Sequence, residues 1–82
     1  MTNTKMTDRE CLIMQVEVMI DIAIKDIENP LNRAFGPLKY CVMDHLKQMK
    51  TDVKALTNDK IVYELGPELR QILTNAWRGF GH

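Results

Sequence analysis

Residues 8–28, DRECLIMQVEVMIDIAIKDIE, carry apolar side chains on two sides of a single helix, and no other feature limits the fold as strongly. At about 100° per residue, Leu12, Ile13, Val16, Met19, Ile20, Ala23, Ile24 and Ile27 make one broad face. Cys11, Val18 and Ile22 make a smaller patch on another side, and Glu10, Glu17, Asp21 and Glu28 form a narrow acidic stripe. Val16, Val18, Ile20, Ile22 and Ile24 also alternate with period two, as a half-buried strand does. Length, the lack of an internal Gly or Pro, and a capping box at Thr7 and Glu10 favour the helix. Asn29-Pro30 ends it, because a residue before proline avoids helical dihedrals.

A second helix is expected over residues 37–56. Val42, Leu46, Met49, Val53 and Leu56 step by four and three, and Leu38, Cys41 and His45 widen the stripe. Such a helix spans roughly 30 Å, the width of a small domain. Between the two long helices, residues 29–36 read as a turn or two of helix. Asn29 would cap it, Pro30 would start it, and Gly36 would make the left-handed exit. Leu31 and Phe35 would then point the same way. Thr57-Asn58-Asp59 breaks the second helix. Residues 59–65 are read as a short helix, with a strand as the alternative because of Ile61-Val62-Tyr63. Gly66-Pro67 starts a last helix, whose apolar face is Leu69, Ile72, Leu73, Ala76, Trp77 and Phe80.

The expectation is an all-α protein, a small bundle of two long helices plus one or two shorter C-terminal ones. Residues 1–6 form a frayed tail and residues 7–80 one helical domain. The expected core is Val16, Ile20, Leu46, Met49, Val53, Leu69, Ile72 and Trp77. A chain of 82 residues buries only about 60% of its unfolded surface, so a helix that is apolar on two sides outstrips what the chain can cover. A homodimer, or another protein as partner, is therefore expected at a patch of Cys11, Met14, Val18 and Ile22. Met14 and Met43 are expected at the surface, where methionine adapts to a partner.

Eleven bases balance eleven acids, and a nucleic-acid binder ordinarily shows a basic excess. The charges are nevertheless segregated. Residues 8–28 hold most of the acids, and Lys39, Lys47, Lys50 and Lys54 line one side of the second helix. With Arg70 and Gln71 they are the candidate face for an acidic partner or nucleic acid. Residues 57–77 resemble a helix-turn-helix. Ile61, Val62 and Leu65 would be the inner face of its first helix, Gly66 the turn, and Leu69 and Ile72 the inner face of its second. That resemblance implies that Glu68, Arg70, Gln71, Thr74 and Asn75 face DNA. Val62 stands where the pattern has a small residue, and Pro67 directly follows the turn glycine.

Chemistry is not expected. Cys41 and His45 lie four apart, but two helical ligands do not make a structural zinc site. The acids of residues 8–28 span too many turns to converge on calcium. No phosphate loop, His-Glu-x-x-His helix, nucleophile elbow or Cys-x-x-Cys is present, so no enzyme, cofactor or small-molecule substrate is expected. The two cysteines read as buried thiols of a reducing compartment. Charges interrupt every apolar run and no signal peptide is seen, giving a cytoplasmic expectation with no membrane span. The leading function is a small non-enzymatic regulatory or inhibitory protein that binds a protein partner, as a homodimer. The alternative is a DNA-binding transcriptional regulator.

Overall fold

The computed structural model describes residues 7–80, so the expected tail at 1–6 lies outside the described residues. Three helical bodies follow one another, with no strand among the described residues. Helix α1 is Asp8–Glu28. Helix α2 is Lys39–Asp52, entered through a tight 3-10 turn, Gly36–Leu38, and left through another, Val53–Ala55. Helix α3 covers residues 58–78, in three contiguous pieces: Asn58–Lys60, a wide π-helical turn Ile61–Leu65, and Gly66–Arg78.

Thr7 starts α1 as its sequence implies. The Glu10 backbone N–H donates to Thr7 Oγ1 at 3.1 Å, and the Thr7 hydroxyl in turn donates to Glu10 Oε1. Thr57 does the same for α3, accepting from the Lys60 N–H. The three helices share one apolar core. Val16, Ile20, Ala23 and Ile27 of α1 meet Met43, Leu46 and Met49 of α2, with Val53, and Ile61, Leu65, Leu69 and Ala76 of α3. In each helix these residues recur at helical spacing, by three, four or, from Leu69 to Ala76, seven positions, which keeps them on one face.

Hydrogen bonds at the two ends show how the helices run. At one end the Arg9 guanidinium donates to Asn58 Oδ1 and to the Lys54 and Leu56 carbonyls at 2.6–2.7 Å. The start of α1 therefore sits beside the end of α2 and the start of α3. At the other end the buried Asn32 amide donates to the Asp26 and Ala76 carbonyls, each at 2.8 Å. Asn32 Oδ1 accepts from the Ala34 N–H, and the Arg33 N–H donates to the Gly79 carbonyl. The path is up-down-up, with α1 and α3 parallel.

Four local expectations are corrected. Residues 29–36 are turns rather than helix. Asn29 Oδ1 accepts from the Leu31 N–H, an Asx turn that competes with a helical start, and Phe35 and Gly36 both take positive φ. Leu31 is exposed while Phe35 is half-buried, so the two do not share a face.

Gly66 is not a turn. Its backbone is right-handed helical, and its N–H donates to the Ile61 carbonyl five residues back. Pro67 has no N–H and its ring crowds the carbonyl four residues before it. The widened turn makes room for that ring, so the helix continues where a helix-turn-helix would break. Val62, placed inside by that reading, is half-exposed.

Trp77 is not core; it is 57% exposed. Ala76 takes the inner position of that turn, fully buried beneath Asn32, and the next side chain points about 100° away. Finally, the inner face of α2 is turned toward its lysines. Met43 is buried, whereas Leu38, Cys41 and His45 are exposed.

Gly79 shows how closely the Asn32 end is packed. A Cβ there would overlap Asn32 Oδ1 and crowd the Ala34 backbone nitrogen at 2.6 Å. Gly79→Ala should cost about 1–3 kcal/mol in urea unfolding through overpacking. Gly36 has φ +48 and open space around it, so Gly36→Ala should cost about 1 kcal/mol through backbone strain alone. Asn32→Ala should then lower the penalty at position 79, because it removes the atom that the added methyl meets.

Candidate interaction surface

Opposite its core side, α1 presents a line of apolar residues to solvent. Met14, Val18 and Ile22 are 47%, 50% and 49% exposed, and Cys11 at the head of the line is half-buried. They stand three or four residues apart, so one helix face carries them all. A shallow, mostly apolar depression of about 360 Å³ is lined by Met14, Gln15, Val18 and Met19. Gln15 and Met19 also line an adjoining groove between α1 and α3, whose far wall is Ile61, Val62, Gly66 and Arg70. The apolar surface thus continues from α1 onto the π turn at Val62. Helical periodicity finds the α1 part. It misses Val62, which follows buried Ile61 and so points away from the core.

The six residues proposed for an acidic partner do not form one face. Lys50 Nζ donates to Asp21 Oδ1 of α1 at 2.8 Å. Lys39 is half-buried, and its Nζ donates to the Asn29 carbonyl. Lys47 and Lys54 are exposed on α2. Arg70 stands in the α1–α3 groove, and Gln71 bonds Asn75 along α3. Two of the four lysines are therefore engaged within the bundle, and Arg70 belongs to a different side of α1.

The Cys41–His45 pair is not drawn into a site. Cys41 is exposed, contrary to the expectation of a buried thiol, and Cys11 is half-buried; both are free. His45 Nε2 lies 2.8 Å from Glu68 Oε1, linking α2 to α3. Glu68, which the helix-turn-helix reading aimed at DNA, faces α2 instead. Among the described residues no three His, Cys, Asp or Glu side chains gather where they could hold a metal ion. No helix among them is long and apolar enough to cross a membrane. A second, more polar cleft of about 490 Å³ lies at the Asn32 end, lined by Leu31, Arg33, Arg78, Gly79 and Phe80. Compared with protein-family models, curated proteins and solved structures, the chain matches none.

Electrostatics join α1 to α2 beside the apolar line. The Lys50 ammonium is held above its ordinary value of 10.5, first by its hydrogen bond to Asp21 and then by the charges of Asp21 and Glu17. A raised folded value means the pair stabilises fully below 10.5, and that its contribution is lost as pH climbs through the folded value. In Asp21→Asn the Lys50 ammonium, followed by NMR, should titrate nearer its ordinary value. Wild-type stability should also fall more steeply above pH 10.5 than that of Asp21→Asn.

Proposed function

We propose that this protein is a small non-enzymatic regulatory or inhibitory protein that works by binding another protein through the outer face of α1. One observation carries the reading. Met14, Val18 and Ile22 are each about half-exposed, in line, on the side of α1 opposite Ile20 and Ile27, which are fully buried. Scattered exposed apolar residues are ordinary, but an aligned apolar row on a helix that already has a complete core face supports a contact surface there. The row has the spacing with which helices dock into grooves and onto one another. The unbroken course of α3 leaves a DNA-reading unit at 57–77 without its turn, so no observation favours that alternative.

Val18→Asp is the decisive variant. Val18 is at the surface, so unfolding midpoints should move by no more than about 0.5 kcal/mol. The variant should nevertheless lose whatever protein the wild type binds, whether a second copy, seen as a fall in sedimentation mass, or another protein held on affinity resin. Equal mass and equal capture for wild type and variant would rule out this face as the working surface. A complex that weakens only modestly with salt would be separated from phosphate binding, which weakens steeply as salt rises.

A further inference from the structure

We propose that the occupant of the α1 face is a cationic amphipathic helix from a different protein. This rests on the reading that the face is a docking surface, and adds which chemistry it selects. The argument is one of charge. Residues 8–28 hold six acids, Asp8, Glu10, Glu17, Asp21, Asp26 and Glu28, and two bases, Arg9 and Lys25. Arg9 is turned into the end of the bundle, where its guanidinium donates to Lys54, Leu56 and Asn58. Lys50 reaches Asp21 and lies within the field of Glu17. Asp8, Glu10, Asp26 and Glu28 are left to bracket the apolar row at its two ends, with Lys25 the exposed base of α1.

Two of these acids stand where the helix itself disfavours them. Asp26 and Glu28 lie in the last turn of α1, at the negative end of its macrodipole, where a base is the stabilising choice. Lys39 reaches the Asn29 carbonyl just past that end, and a positively charged neighbour on the outer face would answer these two acids themselves.

The same charges argue against a second copy. Two α1 helices side by side and parallel set every acid against itself. Crossed antiparallel at Val18, they set Glu10 level with Asp26, and Asp8 with Glu28, of the other copy, with Lys25 beside Glu10 as the one offsetting base. Juxtaposed like charges suppress a pairing. The α2 helix of another copy supplies Lys47 and Lys54, but Met43, Leu46 and Met49, its apolar side chains between the lysines, are buried in its own core. A separate helix with an apolar row flanked by Lys or Arg satisfies both the row and its acidic ends.

The test is selection from a displayed library of 18-residue helical peptides. Each would carry a fixed row of Leu and Ala, with the flanking positions randomised among Lys, Glu, Gln and Ser. The full chain is the bait and its Val18→Asp variant the counter-bait. We expect peptides enriched only on the wild type, with lysine at the flanks. Glu28→Lys and Asp26→Asn should each weaken a selected peptide about 2- to 5-fold at low salt. Glu28→Lys should at the same time leave the chain at least as stable, since lysine suits the last turn. Acidic or neutral flanks, or binding indifferent to both variants, would overturn the cationic partner while leaving the surface standing. A wild-type dimer that Val18→Asp converts to monomer would overturn it in favour of a second copy. Absence of any Val18-dependent enrichment would remove the docking surface along with its partner.

Discussion

The Asn32 amide is the point on which three pieces of chain agree. It is the one buried polar side chain among the described residues, and all its bonds go to backbone: the end of α1, the end of α3 and the turn between α1 and α2. Burying an amide is unfavourable unless its donors and acceptor are satisfied, so the site tolerates little displacement. Gly79 follows from it, because α3 must end close enough for the Ala76 carbonyl to reach Asn32. Ala76 follows too, since a larger inner side chain would hold α3 away. The exposure of Trp77 is thus a result of the same close approach.

Arg9 performs the matching task at the far end. Its planar fork takes two carbonyls and one side-chain amide at once, tying the finish of α2 to the starts of the other two helices. Between these clamps the apolar side chains set the helices face to face. The result leaves α1 touching α2 along one flank and α3 along the other, so its remaining side is outermost. That is why Met14, Val18 and Ile22 are left in solvent while Val16, Ile20 and Ala23, one or two residues away, are sealed in.

What could be read from the chain divides along physical lines. Caps and periodicity are local, so Thr7, Thr57, the three helical stretches and the second apolar side of α1 were all open to inspection. The phase of a helix is less secure. On α2 the stripe through Leu46 and Met49 was expected inside and Met43 outside, and only packing against α1 chose a face centred nearer the lysines that takes in Met43. Gly66-Pro67 does open the α-helical stretch that ends at Arg78; what was misread is Gly66 as a break in direction. A wide turn that lets proline sit inside a helix depends on dihedrals that no spacing rule reports. Asn32 and Arg9 went unnoticed for a different reason: the partners that tie them to other helices lie more than forty residues away. Val62, on the groove wall, was expected inside; it follows buried Ile61 and so points away from the core.

An odd number of helices has an electrical consequence. With α1 and α3 aligned and α2 opposed, one peptide dipole is left uncancelled, and the bundle is a small bar with a positive foot and a negative head. The charged residues answer this fully at the foot and in part at the head, where Asp26 and Glu28 run against it. Asp8, Glu10 and Asp59 occupy the opening turns at the foot. Arg33 and Arg78 crowd the head, around the cleft where two chains of carbonyls point outward together. The two arginines lining that cleft suit the geometry of the bundle: they stand as counter-charges near two helix ends that face the same way.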